Sequence, residues 1–176
     1  MKRAHWLIIG TALFLIGCAT QSETTTVLQH GFSKDEVAWS LKDGKNRITG
    51  EAILKSKGQT YHCGPYTAIA TPDSPYARER MQALYGSLEQ GHRSTEQPPI
   101  TLRPHFPVYS QTQRTADCDD TGHFVFDGLP DGTWYVVVPV IWQNKLGEPF
   151  NGGSFMKRVS VAGAATVTVI MDTKGV

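Results

Sequence analysis

The run Thr115-Ala116-Asp117-Cys118-Asp119-Asp120-Thr121-Gly122-His123-Phe124-Val125-Phe126-Asp127-Gly128-Leu129-Pro130-Asp131-Gly132-Thr133-Trp134-Tyr135-Val136-Val137 reads as turn, strand, turn, strand. Gly122 lets an Asp-rich loop turn into a strand. Phe124 and Phe126 alternate with Val125, which puts two rings on one face of a pleated strand. Pro130 presets the backbone of the next turn, and Gly132 is free to take positive φ. In the strand that follows, Trp134, Val136 and Val138 share one face, and Tyr135, Val137 and Pro139 share the other. Both faces are apolar, so this strand is expected to be buried on both sides.

Outward from this run the same period continues. Ile48, Gly50, Ala52 and Leu54 alternate as in a half-buried strand. Lys57-Gly58 is a turn. Thr60 to Ala70 is a second strand region, broken at Gly64-Pro65, where a bulge or an edge is expected. Trp134 to Trp142 is strongly β-prone, and residues 144–153 form a loop. Phe155 to Val161, a Gly163 turn and Thr166 to Met171 are expected to close the fold as a hairpin. Short strands with frequent turns argue for a sandwich or barrel.

The middle is different. Asp73 or Ser74 can cap a helix with Pro75 in its first turn. Met81, Leu84, Tyr85 and Leu88 then fall on one face at helical spacing. This helix is expected to cover a sheet face or an open end, or to act as a lid for a ligand or partner. Residues 92–116 are polar and contain four prolines, which predicts a long loop.

The N-terminus carries an address. Lys2 and Arg3 precede an apolar run from Trp6 to Ile16, and Gly17 stands directly before Cys18. A secretory signal has this layout, and the run is short for a membrane span of roughly 20 residues. The Leu15-Ile16-Gly17-Cys18 ending resembles the lipobox of bacterial lipoproteins. The resemblance implies cleavage before Cys18, acylation of its thiol and, with Ala19 next, delivery to the outer membrane facing the periplasm. Residues 18–32, rich in Thr, Ser and Gln, are expected to be a flexible tether. Ser33-x-x-Glu36 reads as a capping box opening a short helix or linker over 33–46, with Val37 and Leu41 spaced by four.

The chain has 176 residues and a formal charge of +1, which removal of residues 1–17 takes to about −1. No Lys/Arg cluster of the kind nucleic acid requires is present. Of three cysteines, Cys18 is assigned to the lipid, leaving Cys63 and Cys118 as an even pair in an oxidising compartment. A disulfide closing a loop of about 55 residues is expected. A reactive or metal-binding thiol beside His62 is the alternative.

The 115–137 run resembles the core of carboxypeptidase regulatory-like domains, also called transthyretin-like or prealbumin-like sandwiches. Residues 48–52 are similar to that family's first strand and residues 159–171 to its last two. The resemblance implies a mainly β, Ig-like Greek-key sandwich over 47–172. The helix and Pro-rich loop form an insert at 72–114. It also implies a module that is mostly non-catalytic.

The motifs agree. No Gly-x-Ser-x-Gly, His-Glu-x-x-His, Cys-x-x-Cys or phosphate-cradling glycine loop occurs, and no cofactor is expected. Asp117, Asp119 and Asp120 partly mimic a calcium loop, but the further spaced oxygens are missing. Together with His62, His105 and His123 they make a metal-dependent binder or enzyme the alternative reading. A structural lipoprotein without ligand is a third. The main expectation is an accessory or assembly lipoprotein that docks an envelope protein. Tyr76, Met81, Tyr85, Tyr109, Trp142 and Phe150 are its candidate contact residues.

Overall fold

The computed structural model describes residues 23–173. Cys18 and the signal segment lie outside the described residues. Eleven strands form the body: β1 (Thr24–Val27), β2 (Asn46–Ser56), β3 (Gln59–His62), β4 (Thr67–Pro72), β5 (Gln90–Ser94), β6 (Ile100–Arg103), β7 (Arg114–Asp117), β8 (His123–Leu129), β9 (Gly132–Trp142), β10 (Asn151–Val161) and β11 (Thr166–Met171). Two helices, α1 (Pro75–Tyr85) and α2 (Pro107–Ser110), lie between β4 and β7, and a 3₁₀ helix spans Asp35–Leu41.

The strands make a mainly β sandwich. One sheet has the order β5-β10-β9-β4-β7, and the other has β11-β2-β3 with β8 also paired to β2. In β2, Asn46, Ile48, Gly50, Ala52 and Leu54 are buried in strict alternation, so the period seen in the sequence is the period of the core face. Phe124, Phe126, Trp134, Val136, Val138, Val140 and Phe155 fill the space between the sheets. Burying each such side chain is worth roughly 1.5–3 kcal/mol of transfer free energy. Lys57 and Gly58, at φ 49° and 79°, make the two-residue turn between β2 and β3, where the twist of the hairpin demands left-handed backbone. Gly132 serves a close approach. A Cβ there would lie 2.2 Å from the Trp39 ring, which packs edge-on against Trp134 at 5.1 Å between centroids.

β9 is buried on its inner face and packed on its outer face at Tyr135 and Val137, because the five-stranded sheet has a second core on its outer side. Tyr135 and Met156 are there, covered by Tyr76, Ala77 and Met81 of α1, Tyr109 of α2 and Leu28. Cys63 follows β3 and Cys118 follows β7; their disulfide, with Cα atoms 5.7 Å apart, ties one sheet to the other.

Five expectations are corrected. The closing hairpin does not form: β10 pairs with β5 and β9, whereas β11 crosses to the other sheet and runs parallel to β2. The turn at residues 162–165 is therefore a crossover that carries Val169 and Met171 into the core. The flexible tether over 18–32 does not extend through its range. Thr24–Val27 pairs in parallel with Ile100–Arg103, and Leu28 is buried. The long Pro-rich loop is instead β6, α2 and the start of β7, with prolines at the joints. The capping box at Ser33 is absent; Lys34 occupies the N-cap without a side-chain bond, and the helix is 3₁₀. Finally, α1 stops at Tyr85. Gly86 takes the left-handed C-cap, leaving Leu88 outside the helix and exposed.

Candidate functional site

α1 begins where the sequence requires. The Ala77 amide donates to Ser74 Oγ at 3.1 Å, a side-chain cap with Pro75 behind it. Asp73 is freed for other work: its carboxylate takes Nε and Nη2 of Arg78 and Nη2 of Arg158. This pairing holds both guanidiniums above the ordinary arginine value and fixes α1 to β10. With the helix pinned, Tyr76 packs edge-on against Tyr109 at 5.0 Å and Phe106 at 5.4 Å. The Tyr76 hydroxyl donates to the Pro104 carbonyl at 3.1 Å.

Arg80, one turn after Tyr76, lies over these rings. Its guanidinium carbon is 5.5 Å from the Tyr76 centroid and 5.0 Å from that of Tyr109, a cation–π arrangement. Nη1 donates to the Tyr76 hydroxyl at 3.3 Å. Nε is buried and has no partner. Among the described residues no carboxylate pairs with Arg80.

Arg80 forms the shared wall of two spaces. The inner one, about 130 Å³, lies between α1 and the outer sheet face and is lined by Thr71, Met81, Leu84, Tyr109, Gln113 and Val137 among others. The outer one, about 370 Å³, is a bowl lined by Arg80, Leu84, the strand β6 and His105. Inside the cleft Gln113 Nε2 donates to Thr71 Oγ1 at 3.0 Å. The Tyr109 hydroxyl is buried and makes no hydrogen bond of good geometry, with Thr71 and Arg80 as its polar neighbours. Desolvation pushes its pKa up to about 12, so it stays a neutral donor and acceptor. A cleft with apolar walls and a few convergent polar groups has the make-up of a ligand site.

The opposite regions are of another kind. At the β9–β10 hairpin, Trp142 stacks on Tyr61 with centroids 3.7 Å apart and planes 8° from parallel. Gly152 admits the indole, since a Cβ there would meet it at 2.6 Å. Phe150 is exposed nearby. In the Asp-rich turn, Asp119 accepts from the Thr121 hydroxyl, the Thr121 amide and the His123 amide. These bonds, the Thr121 hydroxyl foremost and the His123 amide next, lower its pKa to about 2. Its oxygens close a turn, and Thr67 Oγ1 donates to Asp117. Among the described residues no group of three or more His, Cys, Asp or Glu side chains is placed to hold a metal ion.

Of the six candidate contact residues, Tyr76, Met81 and Tyr109 are buried in the second core. They are corrected from an outward-facing docking surface: Met81 and Tyr109 line the inner cavity, and Tyr76 packs under Arg80. Tyr85 is half-buried, its hydroxyl bonded to Ser154 Oγ at 3.0 Å. Trp142 and Phe150 sit at the far hairpin, so the six do not form one patch. Sequence reasoning missed Arg80, Thr71 and Gln113. The one signal available was the spacing of Tyr76 and Arg80, four apart on a helix, which brings a cation over a ring.

These features define a mainly β sandwich whose outer sheet face carries a helical layer with a cleft beneath it. No protein-family model matches the chain, and no curated protein matches its sequence. Among solved structures it is similar to the crystal structure of "a putative carbohydrate binding protein" from Pseudomonas aeruginosa. The identity is 25% and the TM-score 0.64, over 80% of this chain and 97% of that one. The two share the mainly β fold.

Proposed function

We propose that this chain is a non-catalytic binding lipoprotein of the cell envelope, anchored at Cys18 in the outer membrane and facing the periplasm, with a saccharide as its ligand. The observation that carries the binding site is the pair of adjoining spaces walled by Arg80 and Leu84, the inner one of about 130 Å³ and the outer bowl of about 370 Å³. The likeness to a structure described as carbohydrate binding supports sugar as the ligand class. Leu84, Met81 and Val137 offer apolar wall to the C–H face of a ring. In the same reading the sandwich is a transthyretin-like, carboxypeptidase regulatory-like Greek key. The placement of Phe124 and Phe126 in the core and the two-sided packing of β9 support that assignment.

The test is titration calorimetry of the full-length protein in detergent against a panel of oligosaccharides. Saturable binding is expected, and Leu84→Trp, which fills the cleft from the helix side, abolishes it without lowering the unfolding temperature. Failure of every saccharide to bind overturns the reading. Anchoring is tested separately by metabolic labelling with a fatty-acid probe, which Cys18→Ala should leave unincorporated.

A further inference from the structure

The hydrogen bonds of the outer layer show which end of the sandwich the proposed anchor leaves toward the membrane. β9 runs from Gly132 to Trp142, and its ends mark the two ends of the five-stranded sheet. β4 delivers Pro72 opposite Trp134, where Ser74 caps α1. α1 then runs toward the other end, where the Tyr85 hydroxyl meets Ser154, the residue paired with Pro139. β5 finishes at that same end. Ser94 pairs with Gly153, and Thr95 Oγ1 donates to the Phe150 carbonyl at 2.9 Å. Residues 95–99 turn from there into β6, and the Thr24 amide donates to the Pro99 carbonyl at 3.1 Å. β1 then follows β6 away from this end, until the Gln29 and His30 amides reach Glu79 of α1. The chain from Cys18 therefore enters the fold beside the β9–β10 loop. From Thr95 to Pro99 is at most about 14 Å of chain, so the entry point and Phe150 lie within roughly 20 Å of each other.

The loop at this end, residues 143–150, carries two large apolar side chains in water. Leu146 is 99% exposed and Phe150 is 57% exposed, with Pro149 exposed between them. The loop is held in shape by its own bonds. The Glu148 amide donates to the Lys145 carbonyl at 3.1 Å, and Gln143 Nε2 donates to the Glu148 carbonyl at 2.6 Å. At its foot Trp142 stacks on Tyr61. Leu and Phe suit the acyl boundary of a bilayer, and Trp and Tyr suit the headgroup level just above it. Exposed charges at this end are mixed, Lys57 and Lys145 with Glu96 and Glu148, so the fit is to the apolar part of a leaflet and needs no anionic lipid. We propose that Leu146 and Phe150 insert into the leaflet that holds the Cys18 lipid. The inference rests on the anchoring part of the reading above and is independent of the saccharide. A short tether keeps the loop at high effective concentration beside the leaflet, so a weak apolar contact suffices. Two contacts on one body fix its orientation, where a lipid alone lets it turn.

The experiment uses the full lipoprotein purified from membranes and reconstituted in phosphatidylcholine vesicles. An environment-sensitive fluorophore is attached at Asn144→Cys, within the loop, or at Ala162→Cys, beyond the far end of β10 where Val161 pairs with Gly132. Lipids brominated at shallow acyl carbons quench a label that enters the leaflet, and aqueous iodide quenches one that does not. The label at 144 is expected to be quenched by the lipid and shielded from iodide, and the label at 162 to show the reverse. Leu146→Ser with Phe150→Ser leaves both cores intact, since both side chains are exposed. It should lower the ratio of docked to undocked protein about a hundredfold at the 144 label, because each apolar side chain is worth at least about tenfold. An acylated protein whose two labels are equally open to iodide overturns the insertion and leaves the anchor standing. Unchanged lipid quenching in the double variant overturns Leu146 and Phe150 as the inserting groups. A chain without an acyl group on Cys18 overturns the anchor and this inference with it.

Discussion

Removal of the Cys63–Cys118 bridge is expected to unfold the helical layer's support. The bridge spans a sequence separation of 55 residues, and that loop contains β4, α1, β5, β6, α2 and β7. In the chain-entropy model a closed loop of this length restricts the unfolded state by about 14 cal/mol/K, or about 4 kcal/mol at 25 °C. Both half-cystines are buried in the main core, so Cys63→Ala with Cys118→Ala also loses sulfur packing, a further 1 kcal/mol or so. Against a urea slope of about 2 kcal/mol/M, the combined loss of about 5 kcal/mol should lower the midpoint by about 2.5 M. The assay is equilibrium urea unfolding of the oxidised protein and the double variant, with the slope fitted separately. A loss below about 1 kcal/mol at unchanged slope would refute the argument, because it would mean that the loop is already confined in the unfolded chain.

Two further outcomes follow from buried polar groups. His92 packs on Phe155 at 4.7 Å and burial lowers its pKa from the ordinary 6.5, so the unfolded chain takes up the proton first. Its contribution to stability is therefore complete above pH 6.5 and declines as pH falls toward the depressed value. His92→Gln should flatten this part of the urea midpoint against pH, and parallel curves for the two proteins would sink the assignment. Tyr109→Phe removes a buried hydroxyl that makes no hydrogen bond of good geometry, so the free protein should match or exceed wild type by up to about 1 kcal/mol in thermal unfolding. A destabilised variant would show that the hydroxyl is already satisfied.

The strands of the main core were legible because a period of two is a statement about faces. Asn46 to Leu54 alternate, and Trp134 to Val138 carry apolar side chains on both faces, and each pattern matches the burial found. Periodicity does not name a partner strand. Val167, Val169 and Met171 read the same whether β11 folds back on β10 or crosses to β2, and tertiary packing chose the crossover. Thr24 to Val27 was passed over because its polar setting suggested a tether, although Thr and Val favour extended backbone. Proline in residues 98–107 suggested loop, yet short strands and a single helical turn accommodate it at their ends. Of the cleft, the helix and its cap were readable. Arg80 was not, because its neighbours Tyr109 and Gln113 are set by where α2 and β7 return to the sheet.

The two cores give the five-stranded sheet unequal faces, and this decides where a ligand can bind. Between the sheets, Phe124, Phe126 and Trp134 belong to one continuous apolar core. On the outer face the covering layer is assembled from separate pieces: the segment after β1, α1, β6 and α2. Pieces that meet side by side leave a seam, and the cleft is that seam. β1 also ties the seam to the proposed anchor. It pairs with β6 from Thr24 onward, and β6 lines the bowl. From Cys18 to Thr24 an extended chain reaches only about 20 Å. In the anchored form proposed above, the cleft side of the sandwich is thus held close to the membrane surface. On that geometry, the ligands within reach of the cleft are those displayed at or near that surface.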